Sequence, residues 1–192
     1  LVGSEMCIRD RVQIVPHKGS IVTKLNYDIV NQSIYQRVAV ESMVFRDFIL
    51  SCSPIDVEKV RYAMQRLDEI GQGFFTHPEK FEVNCFLRID FQMHELWFRA
   101  TKKRYLWEKL SGSIQASYTR FCTLDIIEGS NVRDVLDEHW EMLRMIDEKR
   151  IDGIEELFRK HLYGGVRRLS GLMFTKYADY FETPEEEDEY AE

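Results

Sequence analysis

No run of the sequence approaches the roughly 20 apolar residues that a membrane-spanning helix needs, and no secretory leader is visible. The four cysteines, Cys7, Cys52, Cys85 and Cys122, include no C-x-x-C pair. That excludes a zinc ribbon and a disulfide framework and points to a reducing compartment, hence to a cytoplasmic protein. A Gly-rich phosphate loop, a G-x-S-x-G elbow, an H-E-x-x-H pair and any internal repeat are also missing. Position 1 is not Met, and the opening "LVGSEMCIRDR" resembles an adapter-derived tail, so residues 1–11 are expected to be non-native. Positive charge is short by 7, but the deficit is local. The end "ETPEEEDEYAE" carries seven acids and no Lys or Arg, so the body is neutral and residues 182–192 are expected to be a disordered, solvated tail.

What is present is enough for one well-filled domain: 192 residues, 44% of them hydrophobic and 12% aromatic. "VQIVPHKGSIVTKL" alternates on both sides of "PHKG" and predicts a hairpin over 12–25. From Asn26 the apolar residues recur at helical spacing. Helices are predicted over 27–51, 54–73, 78–100, 102–127, 130–149 and 152–181, with breaks at "SCSP", "GQGFFTHP", "EGSN" and Asp152. The expected fold is all-α, an antiparallel bundle of about six helices behind a two-stranded appendage.

Three of these helices carry a histidine where an apolar residue belongs. In "RIDFQMHELW" the buried stripe is Phe86, Ile89, Met93 and Trp97, and both Asp90 and His94 fall on it. His139 lies within the stripe Val135, Leu136, Met142, Leu143 and Ile146, and His161 within Ile154, Leu157, Phe158, Leu162 and Leu169. Taken alone, Asp90 and His94 are four residues apart and read as a carboxylate orienting a core imidazole. Three inward histidines and an aspartate are explained more economically by shared metal coordination, since unpartnered buried polar groups are costly. Three nitrogens favour zinc, with nickel, manganese and iron(II) also compatible. Phe91, Leu136 and Phe158 stand three residues before the histidines, so the Glu-x-x-His pairs of di-iron bundles are absent. His17 and His77 lie in a turn and a loop and read as solvated.

"DFQMH", then His139 in "LDEHWEML" and His161 in "LFRKHL", resembles the metal-binding C-terminal FCD domain of the FadR branch of GntR transcription regulators. "YQRVAVE", with Arg37 and Glu41, resembles the R-x-x-x-E of that domain's first helix, and "VQIVPHKGSIVTKL" is similar to the wing hairpin closing the family's winged helix-turn-helix. The family shows a Gly-Asn turn after the first metal helix, where this chain has "TKKRY". The resemblance implies a wing remnant over 12–25, with Lys18 and Gly19 as DNA contacts, and a metal- and effector-binding domain over 26–181. It further implies a homodimer that senses a small carboxylate and controls operator DNA binding, which this fragment, without a recognition helix, is expected to carry out weakly or not at all. Arg37 would face the effector, or else serve as a structural partner of Glu41 one turn away. Arg120 in "SYTRF" is a second candidate cation.

A metal-dependent hydrolase or lyase is the competing function, because an open site on three histidines can activate water. The sequence offers no obvious general base for it, and it gives the hairpin no role. The regulator reading is preferred, with no enzymatic activity expected.

Overall fold

A computed structural model describes residues 12–15, 19–112, 115–128 and 131–182. Strand β1 (Val12–Val15) pairs antiparallel with β2 (Gly19–Val22), Val12 opposite Val22 and Val15 opposite Gly19. Seven α-helices follow among the described residues: α1 (Tyr27–Ser51), α2 (Pro54–Thr76), α3 (Val83–Ala100), α4 (Arg104–Leu110), α5 (Gln115–Ile127), α6 (Val132–Glu148) and α7 (Ile154–Met173). His17 and Lys18, the expected non-native start and the acidic tail beyond Glu182 lie outside the described residues.

Local chemistry sets the helix starts. The Asn26 side chain accepts the Ile29 amide at 3.0 Å to cap α1. Ser53 and Asp56 form a reciprocal capping box ahead of α2, with Pro54 in the first turn, where its missing N–H costs nothing.

Four boundaries differ from the sequence reading, each for a physical reason. The expected 78–100 helix begins at Val83, because Pro78–Lys80 forms a separate 3-10 turn and Phe81 and Glu82 are extended. Helix α2 runs through Gly71 and Gly73 to Thr76, because Leu136 packs into the space a side chain at Gly71 would occupy and Phe74 stacks edge-on against Phe81 at 5.1 Å. The expected 102–127 helix is two, since α4 ends at Leu110, capped by Ser111 beside Gly112. The expected 152–181 helix stops at Met173, and a short 3-10 turn (Ala178–Tyr180) carries the chain to Phe181.

The bundle is layered with α1 against α7, and α2 against both α3 and α6. Its middle is aromatic: Phe45, Phe86, Trp97, Phe98, Phe121 and Phe158 are almost wholly buried. The segments that enter and leave the bundle meet beneath it. Leu25 bridges Phe181, donating its amide to the Tyr180 carbonyl at 2.7 Å and accepting from the Glu182 amide at 2.9 Å.

Candidate metal centre

Helix α3 brings Asp90 and His94 inward one turn apart, α6 brings His139, and α7 brings His161. One ligand atom from each lies within 4.8 Å of all the others. His94 and His139 are fully buried and Asp90 nearly so. Trp97 and Phe158 stand edge-on to the His94 ring at 5.0 and 6.2 Å, so this part of the site is walled by apolar rings.

The protons are assigned by what surrounds each ring. His139 Nδ1 lies 2.7 Å from the Val135 carbonyl, which only accepts, so this nitrogen carries the proton. His94 Nδ1 lies 2.5 Å from Glu41 Oε2 and donates to it. His161 Nδ1 stands 3.1 Å from Glu138 Oε2 in the same relation. Each imidazole therefore gives its Nδ1 proton outward and turns the Nε2 lone pair toward the common point. There His94 Nε2 and His139 Nε2 are 3.1 Å apart, and Asp90 Oδ1 is 3.1 Å from His139 Nε2. Neutral imidazoles oriented by an oxygen at the far nitrogen, together with one carboxylate, are a donor set for a divalent cation, which satisfies converging lone pairs that no protein proton serves.

The electrostatics agree. Burial pushes the His94 imidazolium down to about 4 against the pull of Glu41, so the ring is neutral at physiological pH. Burial alone would raise Asp90, yet a protonated His139 hydrogen-bonded to it, with His94 and His161, holds it well below the usual carboxylate range; a cation at the common point takes the place of that proton and likewise keeps Asp90 ionised. Glu41 is treated likewise: burial raises it, while Arg37 and His94 bring it down to about 2.

Asp90 does not orient His94, as its i, i+4 spacing suggested; Glu41 on α1 does, and Asp90 stands at the common point beside His139. Arg37 makes the ion pair with Glu41 that was its structural alternative, and its guanidinium also lies over the Tyr118 and Phe91 rings, at 4.7 and 5.3 Å. It lines a cavity of about 10 Å³ with Gln36, Phe91 and Tyr118, whereas Asp90 and His161 border a second of about 40 Å³. Tyr118 borders both. Arg120 is in neither wall. It donates from Nη2 to the Thr23 carbonyl at 2.5 Å and from Nη1 to Thr23 Oγ1 at 3.3 Å, which ties α5 to the segment leading into α1. Gly19 is exposed with φ +100 at the start of β2, and His77 is exposed at the end of α2.

Sequence reasoning missed Glu138 and half of Glu41's role. The signal was available: Glu138 sits three after Val135 and four before Met142, and Glu41 three after Val38 and four before Phe45, so both are acids on apolar stripes.

The FCD domain model matches residues 34–164 of the chain. Among solved structures the chain is similar to a transcriptional regulator (GntR family member) from Pseudomonas syringae pv. tomato str. DC3000. The TM-score is 0.56 at 18% identity, over 90% of this chain and 69% of that one. Comparison with curated proteins found no match.

Proposed function

The chain belongs to the FCD domain family, and from that premise we propose that it is the sensor part of a GntR-type transcription regulator, in which a small carboxylate effector controls binding to operator DNA. The observation that carries the reading is the convergence of three Nε2 lone pairs and one carboxylate on a buried point, each Nδ1 proton being engaged elsewhere. Asp90, His94, His139 and His161 would hold a divalent ion, zinc best matching the nitrogen-rich set, with nickel, manganese and iron(II) as alternatives. Such an ion, when bound, supplies open positions at which a carboxylate replaces water.

Around that point the chain's own groups recognise the effector. Arg37 is a buried guanidinium next to His94, and a second polar group of the ligand reaches it where Tyr118 separates the two cavities. Glu41 and Glu138, the further carboxylates beside the site, face Nδ1 and not Nε2. Neither is placed as a general base for metal-activated water, which favours a sensor over a hydrolase or lyase.

Helix α5 is the route outward. Tyr118, Phe121, Cys122 and Asp125 line the larger cavity, while Arg120 holds Thr23 and Glu128 accepts from Lys176 and Tyr177 near the turn that clamps Leu25. A ligand that shifts α5 therefore pulls on the segment joining hairpin to bundle. We read the hairpin as a wing, with Lys18 and Gly19 as its contacts to the DNA backbone. The exposed Tyr35, Met43 and Leu50 of α1 give the bundle an apolar stripe suited to a homodimer. No helix among the described residues is long and apolar enough to cross a membrane, in keeping with work in the cytoplasm.

Metal analysis of the purified chain tests the reading. Wild type should carry or take up one divalent ion per chain, and His139→Ala should not while keeping its helicity. Wild-type protein that binds no ion on titration would overturn it.

A further inference from the structure

The cavity bordered by Asp90 and His161 has a second polar wall, formed by Asp125 on α5 and Arg168 on α7. Asp125 is only 6% exposed. Arg168 grips both of its oxygens, Nε to Oδ1 at 3.0 Å and Nη2 to Oδ2 at 2.7 Å, the two-pronged geometry that fixes a carboxylate in place. Two adjacent glycines make room for this pair. A methyl at Gly165 would stand 3.0 Å from Asp125 Oδ2, and one at Gly164 would stand 2.8 Å from Arg168 Nη1.

A carboxylate held this way has spent one lone pair per oxygen on arginine and keeps acceptor capacity on each. Toward a ligand in the cavity it accepts a hydrogen bond from a hydroxyl, gains nothing from a methylene, and repels a second carboxylate. The cavity, about 40 Å³ against the roughly 10 to 15 Å³ one water needs, has room for only a few heavy atoms. We infer that Asp125, positioned by Arg168, is a specificity-determining residue that selects a short hydroxy acid over the corresponding plain carboxylic acid and over dicarboxylates. The inference rests on the effector reading above, in which the ligand's own carboxylate lies at the Asp90–His94–His139–His161 group.

Calorimetry on the full chain loaded with Co(II) tests it, using propionate, its 2-hydroxy and 3-hydroxy derivatives, and malonate. At least one hydroxy acid should bind about tenfold or more tighter than propionate, as expected for a hydrogen bond to a charged acceptor, and malonate should bind weakest. In Asp125→Ala the ratio of hydroxy-acid to propionate affinity should fall toward one. Asp125→Asn keeps the shape of the site if the alanine variant loses helicity, and its loss of charge should relieve the penalty on malonate. Chelation of the ion by a 2-hydroxyl would leave the gap intact in Asp125→Ala, and an intact gap overturns the inference. So do hydroxy acids that bind no tighter than propionate to wild type. The visible absorption of bound Co(II) separates the two levels: carboxylates that perturb it without discrimination sink this inference alone, whereas no response to any carboxylate sinks the effector reading and this inference with it.

Discussion

His94 Nε2 and His139 Nε2 face each other across 3.1 Å in the middle of the bundle, each on a ring whose proton is held at the opposite nitrogen. Two lone pairs so placed repel unless a cation lies between them. An ion that binds only the folded chain adds about 2.7 kcal/mol at a hundredfold excess over its Kd. For a chain of this size, that corresponds to a rise in Tm of roughly 5 to 11 °C. Chelation should therefore lower the wild-type Tm by several degrees in differential scanning calorimetry. In His161→Ala the chelator effect should shrink sharply, and an effect of wild-type size there would contradict the assignment.

Glu138→Gln tests the orienting shell apart from the ligands. Glu138 pairs with His161 Nδ1 and with the exposed Lys160, and glutamine keeps its shape and volume at this buried position. Losing such an outer partner weakens metal binding by about 10- to 100-fold. Competition with a fluorescent chelator should show that loss with an unchanged circular dichroism spectrum. Wild-type affinity would mean that His161 is oriented by packing alone.

Glu41→Ala should be far more damaging, because it strands Arg37 as a buried charge and removes the partner of His94 in one step. Breaking a buried pair from one side costs about 3 to 5 kcal/mol. Urea denaturation should show a loss of that order, and a change below about 1 kcal/mol would show that water reaches Arg37 freely.

These carboxylates mark how far the sequence could be read. The bundle, the hairpin and the convergence of Asp90, His94, His139 and His161 follow from periodicity, since a polar residue on an apolar stripe needs a partner inside. The same rule applied to Glu41, Asp125 and Glu138 marks all three as inward acids, but not which helix supplies the partner. That depends on how α1, α5, α6 and α7 are rotated against one another, a property of packing that one-dimensional spacing does not carry. Arg120 shows the limit from the other side: a cation on a pocket-lining helix, its contact is set by the path of the chain at Thr23.

That contact gives a prediction about dynamics. Arg120 and the bridge between Leu25 and Phe181 hold the segment entering α1. Losing a charge-assisted hydrogen bond worth about 1.5 to 3 kcal/mol should speed local opening about 10-fold or more. In Arg120→Ala the Leu25 and Glu182 amides should exchange faster by hydrogen-exchange mass spectrometry, with metal content unchanged. Unchanged exchange would remove α5 from the proposed route to the hairpin.

The last prediction concerns Arg37 and the metal together. Arg37 faces one cavity and Asp90 and His161 the other, with Tyr118 between them, so a ligand that touches both has to move that ring. If one carboxylate ligand is held by the ion at one end and by Arg37 at the other, losing either contact also weakens the geometry that makes the second one good. The two losses should then be coupled and not additive. Calorimetry with glycerate, whose two hydroxyls can serve Asp125 and Arg37 at once, on metal-loaded protein, chelated protein, Arg37→Ala and chelated Arg37→Ala closes the cycle. The combined loss should be smaller than the sum of the two single losses. Tyr118→Ala, which opens the partition, should strengthen binding of a longer hydroxy acid relative to lactate. Equal affinity in all four members of the cycle would place the effector elsewhere and leave the buried histidines and acids with only the helices to hold.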